Sequence, residues 1–153
     1  MPVGPDAPPC REGHPGCLEG TASGTAIAAA ARQAIAGGAV SSLMQLDPAS
    51  IDARAVEEAG VAGDRLAIEL YAVAGRALGR AIGGLINLLN PEVIAVGGGL
   101  INAGDLLFQP LRAAVPEMAF EVQRSRCSIV PAQLGTDAGL VGAVAWAAKT
   151  FSV

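Results

Sequence analysis

The apolar positions divide the chain into a proline-broken start, five helical runs and two short β-branched runs. Residues 1–16 carry Pro2, Pro5, Pro8, Pro9 and Pro15, and proline both fixes φ and removes an N–H, so an extended Pro/Gly-rich loop is predicted there. CLEGTA (17–22) reads as a short helical turn. In GTAIAAAARQAIA, Ile27, Ala31, Ala34 and Ile35 share one helical face. Ser23 is placed to cap that run and Gly37-Gly38 to end it. Residues 39–63 are weakly patterned, with one short helix at about 53–59 behind an Asp52 cap. Asp64 then opens the longest run, with Leu66, Leu70, Val73, Ala77, Ala81, Leu85 and Leu88 in register. This predicts a helix of about 25 residues, roughly 38 Å long, ended by Asn90-Pro91.

That helix contains Gly75, Gly79, Gly83 and Gly84, each costing about 1 kcal/mol of helix propensity. Most of them fall on one stripe, where a second helix could approach at short range. VIAV, followed by Gly97, Gly98 and Gly99, has the composition of a strand. Residues 104–119 read as helix, kinked at Pro110 and Pro116. SIVPAQ (128–133) is a second strand placed at an edge by Pro131, and Asp137 is positioned to cap a last helix. The alternation predicts a helix-rich α/β layer structure with a short sheet. Two strands make a poor sheet, so either further strands lie within 39–51 or the chain is part of a larger unit.

Composition removes several functional classes. Of 153 residues, 52% are apolar and 16% charged, which excludes disorder over most of the chain. The net charge is −4, with ten scattered basic residues and 3% aromatics. That offers neither a phosphate-binding stripe nor a base-stacking platform, so direct nucleic-acid binding by this chain is not expected. The most apolar stretch, 81–101, is broken by Asn87, Asn90, Pro91 and Glu92, and no membrane association is expected. The N-terminus lacks the apolar core of a secretion signal, and three cysteines cannot form a disulfide scaffold. The expected location is the cytoplasm.

Three groups could carry chemistry. Cys10, Glu12, His14 and Cys17 lie close in sequence. Thiolates and imidazole bind zinc well, but a structural site wants four donors. The spacing is equally that of two thiols in a proline-rich loop with an ordinary histidine. Gly97, Gly98 and Gly99 follow a strand and precede a helical segment, where backbone can approach phosphates or an adenosine and a helix start offers free N–H groups. Neither a dinucleotide fingerprint nor a P-loop is matched, and a plain glycine turn fits too. Glu19, beside the cysteine loop, is either a ligand-holding carboxylate or a solvated one. Ser23 lacks a nucleophile-elbow context, and one histidine leaves no serine triad. Cys127 reads as a small core residue.

CREGHPGCLEGTASG resembles the signature C-x-C-G-x-x-G-C-x-E, followed by a small residue and Ser-Gly, of the ROK family of bacterial sugar kinases and sugar-responsive repressors. INLLNPEVIAVGGGLINAGDLLFQPLR and VPAQLGTDAGLVGAVAWAA are similar to further blocks of that family, in the same order. The resemblance runs from Cys10 to about Lys149. It implies the C-terminal lobe of an actin/hexokinase-like (ribonuclease H-like) ATPase fold, with ATP and sugar held between two lobes. It implies that Glu19 holds sugar hydroxyls, an apt use of charge-assisted hydrogen bonds, and that Gly97, Gly98 and Gly99 contact nucleotide. Catalysis in the family rests on an Asp that deprotonates the sugar hydroxyl, with Mg²⁺ neutralising the phosphates.

Two departures matter. The family's zinc ligands are a histidine ten residues before the first cysteine and three cysteines. Here that histidine would fall just upstream of Met1, and Glu12 stands at the middle cysteine. Cys10 and Cys17 remain, so a zinc site is implied only if His14 or Glu12 substitutes. The family's catalytic Asp and first phosphate-binding turn belong to the preceding half. The expectation is therefore a loop at 1–16 left from the zinc and sugar segment, then one α/β domain over 17–153. Together they would form the nucleotide- and sugar-binding half of a glucokinase-like enzyme acting with ATP on a hexose or hexosamine. The isolated chain would be inactive and homodimeric. The alternative is the sugar-sensing part of a ROK repressor without its helix-turn-helix.

Overall fold

The computed structural model describes residues 1–5 and 7–151, with Thr136 described by its backbone alone. The N-terminal loop is extended, as its prolines require. Val3 N–H donates to the Gly16 carbonyl at 2.8 Å and Leu18 N–H to that of Met1 at 2.8 Å, bringing Pro2 opposite Cys17 in an antiparallel bridge. The loop lies against the short helix α1 (Glu19–Ala22). Gly20 permits this, because a Cβ there would come within 2.6 Å of the Pro9 carbonyl oxygen.

Helix α2 (Gly24–Ala36) is capped as expected, Ser23 Oγ accepting from Ala26 N–H at 3.1 Å. Two 3₁₀ turns, Ser42–Gln45 and Pro48–Ser50, fill the weakly patterned region, so no strand was hidden there. The prolyl and Asp47 caps favour tight turns over extension: Asp47 Oδ1 accepts from Ala49 N–H at 2.8 Å. Helix α3 (Ala53–Val61) starts at the Asp52 cap, which accepts from Ala55 N–H at 2.8 Å, and runs two residues beyond the expected end.

Helix α4 (Arg65–Leu89) has the expected 25 residues, with Asp64 as its cap and left-handed Asn90 at its end. Its buried face follows the expected register only in part: Ala77 and Ala81 are buried and Leu66, Leu70 and Leu85 half-buried. Val73 is 46% exposed and Leu88 78%, whereas Ala67, Tyr71, Ala74, Gly75, Gly79, Ile82, Gly83 and Ile86 are buried. Small residues win the interior because helix α5 (Asp105–Ala114) packs there backbone to backbone. A Cβ on Gly75 would lie 2.7 Å from the Leu107 carbonyl oxygen, and one on Gly83 2.9 Å from that of Val115. Gly84 faces open space and takes no part.

Strands β1 (Val93–Val96) and β2 (Ser128–Pro131) pair in parallel, Val93 opposite Ser128 and Val96 opposite Pro131. Ser128 N–H and Ala132 N–H both donate to β1, so the alternating Pro131 turns its missing donor toward the open side. Between them, α5 continues through Pro110 and stops at Ala114, before a 3₁₀ turn at Val115–Glu117 containing Pro116. The expected helix to 119 is therefore shorter. A one-turn helix α6 (Glu121–Arg124) precedes β2. The last helix, α7 (Ala138–Thr150), follows a 3₁₀ turn at Gly135–Asp137. Asp137 does not cap it, because its backbone (φ −84°, ψ −5°) lies in the helical region, away from the extended geometry an N-cap side chain needs.

Two apolar cores flank α4. Ile27, Leu43, Ile51, Val56, Tyr71 and Leu107 form the first. Burial pushes the Tyr71 phenol up to about 12, Glu57 adding to the effect, and its hydroxyl donates to the Ala53 carbonyl at 3.4 Å. Ile82, Ile86, Phe108, Leu111 and Val115 form the second, against Ile94, Val96 and Ile129 of the sheet. Cys127 packs partly buried at its edge, where burial raises its thiol pKa. The architecture is helix-rich α/β with a two-stranded parallel sheet.

Candidate functional site

Two grooves meet at the start of α2. The first, of about 900 Å³, is walled by Gly24, Thr25, Ala28 and Arg32 of α2, by Asp52, Arg54, Glu57 and Glu58 around α3, and by Gly99, Leu100 and Asn102 after β1. The second, of about 680 Å³, is walled by Pro8, Pro9, Cys10 and Arg11 of the loop, by Glu19 and Thr21 of α1, and by Thr25, Leu70 and Val73. Thr25 lines both. Its hydroxyl sits 3.0 Å from that of Ser23, the α2 cap.

Local interactions fix the first groove's walls. Arg32 Nη1 donates to the Ile51 carbonyl at 2.6 Å, tying α2 to the segment before α3. Arg54 and Glu58 pair at 3.0 Å across one helical turn. Burial raises the Glu57 carboxyl above its usual range and neighbouring Glu58 adds to this, while Arg54 opposes it. Gly98 holds φ +99° and ψ 173°, a region open essentially to glycine alone. After it comes a five-residue 3₁₀ turn, Gly99–Ala103. The α-helix after the glycines begins at Asp105, one residue past the expected start, so this 3₁₀ turn separates the glycines from it. Gly99 lines the groove, whereas Gly97 and Gly98 stand outside its described walls.

In the second groove Glu19 is exposed, in the first turn of α1. It is the one carboxylate among the described lining residues. Beneath it lies a sulfur cluster. Cys10 and Cys17 are buried and free. Cys10 Sγ lies 3.4 Å from His14 Nδ1, and the Met1 amino group lies 3.8 Å from Cys17 Sγ. The Glu19 N–H, with Cys10 and the amino group, holds the Cys17 thiol below its ordinary pKa against the opposing effect of burial. Glu12 is exposed. Among the described residues no group of three or more His, Cys, Asp or Glu is placed to hold a metal ion. Structural zinc takes four donors, and this arrangement does not provide them. No described helix is long and apolar enough to cross a membrane.

Sequence reasoning missed Thr25, Arg32, Asn102 and the acids of α3 as groove walls. Thr25 follows the Ser-Gly of the signature, which could have pointed to it. Nothing local marks Arg32, which reaches the groove only because α2 and α3 pack together.

A helix-rich α/β lobe with a glycine turn after its first strand and a Cys-x-Glu helix start beside a groove defines a class. The chain belongs to the ROK family, whose model matches residues 1–150. It is 36% identical to the glucokinase of Thermotoga maritima over 92% of this chain and 45% of that protein. It is 28% identical to the transcriptional repressor Mlc of Escherichia coli, over 92% of this chain and 34% of the repressor. Among solved structures, a ROK family glucokinase from Streptomyces griseus in complex with glucose and AMPPNP superposes with a TM-score of 0.82. That match is at 30% identity and covers 97% of this chain and 50% of the other. The chain thus spans about half the length, or less, of these relatives.

Proposed function

We propose that the chain is the C-terminal, nucleotide- and sugar-binding half of a ROK sugar kinase that phosphorylates a hexose or hexosamine with MgATP. The observation that carries this reading is the meeting of two grooves at Thr25, one bearing Gly99 and the other Glu19. The first groove takes the nucleoside, with the glycine turn letting backbone come close to it. The second takes the sugar. Glu19 accepts from two ring hydroxyls and orients the sugar. The support from outside the chain is the glucose and AMPPNP bound by the Streptomyces griseus relative.

Phosphoryl transfer also needs a proton acceptor at the attacking hydroxyl. The second groove holds no second described carboxylate for that task. The acceptor is supplied from outside these residues, and the chain alone does not turn over. The likeness to Mlc supports a second reading, a sugar sensor. The two share the sugar groove and part at phosphoryl transfer. A cytoplasmic location and a pair of identical chains complete the proposal.

Amide NMR on the 153-residue chain tests it. AMPPNP with Mg²⁺ should shift Gly97–Leu100 and Thr25, and glucose should shift Glu19 and Thr21. Silence at these amides under millimolar ligand sinks the reading. Sugar phosphate formed by the chain alone would refute its inactivity.

A further inference from the structure

The cysteine loop holds chemistry that the two grooves leave unused. Cys10 and Cys17 are free and buried, at 8% and 9% exposure. Left-handed Gly13 (φ +81°) and Gly16 (φ +65°) fold the loop back on itself. Cys10 N–H donates to the His14 carbonyl at 3.1 Å, and Gly13 N–H to that of Cys10 at 2.8 Å. Gly16 N–H donates to the Ala7 carbonyl at 3.0 Å, and the bridge from Cys17 to Pro2 holds the other end. The two thiol side chains are thereby brought within hydrogen-bonding reach of each other. A metal would account for such a pair. Yet Glu12 is exposed and, among the described residues, no group of three His, Cys, Asp or Glu is placed to hold one. The third cysteine, Cys127, stands apart at the edge of the second core.

Facing thiols with no ion between them are poised for oxidation, because the loop's own hydrogen bonds have already removed the entropy that closing it would lose. Access is from one side: Cys10 lines the second groove, whose described walls do not include Cys17. We propose that Cys10 and Cys17 form a peroxide-reactive dithiol that closes reversibly to a disulfide. Hydrogen peroxide, little larger than water, enters the groove and meets Cys10. The Cys10 proton passes to His14 Nδ1, 3.4 Å from the sulfur. The thiolate attacks one peroxide oxygen, the O–O bond breaks, and the hydroxide released takes the proton from His14 and becomes water. Cys10 is then a sulfenic acid, the form that condenses with a second thiol. The Cys17 sulfur displaces its hydroxyl, which leaves with the Cys17 proton as a second water, and the S–S bond forms. Two thiols are oxidised and one peroxide is reduced to two waters. Closure also takes from the Glu19 N–H the Cys17 sulfur that it now hydrogen-bonds, so oxidation reaches the carboxylate-bearing turn of the second groove. The dithiol stands whether or not a sugar fills that groove.

Trypsin cuts after Arg11 and Arg32, placing Cys10 on residues 1–11 and Cys17 on 12–32. The 153-residue chain, treated with equimolar hydrogen peroxide and then alkylated, should yield these two peptides joined, and dithiothreitol should separate them. The link should form at least about tenfold faster in the folded chain than in urea, because the fold orders the loop beforehand. The Glu19 amide resonance should move on oxidation and return on reduction. Cys127, on 127–149, should still alkylate. Absence of the joined peptides, a link to 127–149 in their place, or a link that forms as fast in urea overturns the proposal. So does zinc chloride that binds stoichiometrically, survives dialysis and blocks the link, since both sulfurs would then be metal ligands.

Discussion

Substituting two glycines of α4 separates close packing from helix propensity within one helix. At Gly79 an added Cβ would lie 3.0 Å from both the Leu111 carbonyl carbon and Ala114 Cβ, and closer still to the Leu111 carbonyl oxygen. Ordinary contact begins at 3.4 Å, and two of these atoms are backbone, which cannot rotate aside. Helix α5 must therefore back away, and it carries Leu107, Phe108 and Leu111, all buried. Overpacking of this kind costs about 1–3 kcal/mol. With backbone in the way, Gly79→Ala should sit near the upper end. Against it stands a gain of about 1 kcal/mol in helix propensity. The net loss is about 2 kcal/mol, or a melting temperature lower by about 4–8 °C at this chain length. Gly84 meets nothing within 4 Å. Gly84→Ala should keep the propensity gain alone, raising the melting temperature by about 2–4 °C. Thermal unfolding followed by far-UV circular dichroism reads both. Gly79→Ala melting at or above the parent, or Gly84→Ala falling as far, would refute backbone contact as the reason for the stripe.

Asp64 gives a pH signature. Burial alone would raise its carboxyl, but hydrogen bonds from the Ala67 and Ser42 N–H groups and the Ser42 and Ser41 hydroxyls hold it at about 2. Because the folded pKa lies below the usual 3.8, this stability is complete above that value and is lost as pH falls toward 2. Asp64→Ala should cost about 1–2 kcal/mol at neutral pH, a gap to the parent that closes on acidification; a pH-independent gap in urea titrations contradicts it. Asn87 Nδ2 donates to the Met118 carbonyl at 2.7 Å and its Oδ1 accepts from Phe120 N–H at 2.9 Å. Asn87→Ala should lower stability by about 1–2 kcal/mol, and an unmoved urea midpoint would mean that water replaces both bonds. Glu19→Gln should weaken glucose binding about 10–100-fold with little change in melting, and equal affinity in calorimetric titrations would remove Glu19 from the sugar site.

Local chemistry was legible in the sequence, and tertiary contact was not. Ser23, Asp52 and Asp64 each cap a helix through a bond to an N–H three residues on, so the signal and the contact lie together in the chain. Asp137 has the same residue type, but the turn ahead of it sets its backbone in helical geometry. In α4 the expected register held Ala77 and Ala81 but also the exposed Val73 and Leu88, while Gly75, Gly79 and Gly83 joined Tyr71, Ile82 and Ile86 in the interior, because the neighbour's proximity decides burial and a hydropathy pattern carries no record of it. The Cys-x-Glu and triple-glycine motifs marked both grooves. Arg32 and the α3 acids joined the first groove only through the packing of α2 on α3.

The same glycine stripe links packing to the site. Glu19 and Thr25 sit on elements that rest on the first core, and the strand leading to Gly97 rests on the second. The turn Gly99–Ala103 is held by both: Leu100 and Ala103 pack with the first core, Ile101 with the second. Helix α5 contributes Leu107 to one and Phe108 and Leu111 to the other. Pressed onto Gly75 and Gly79, with the turn that follows it on Gly83, it locks the two cores at one separation, and with them the spacing between Gly99 and Thr25. A residue larger than glycine on that stripe displaces α5, and the first groove opens or closes with it. The amide shifts that AMPPNP induces at Gly97–Leu100 should therefore weaken in Gly79→Ala but not in Gly84→Ala, although neither residue touches the groove.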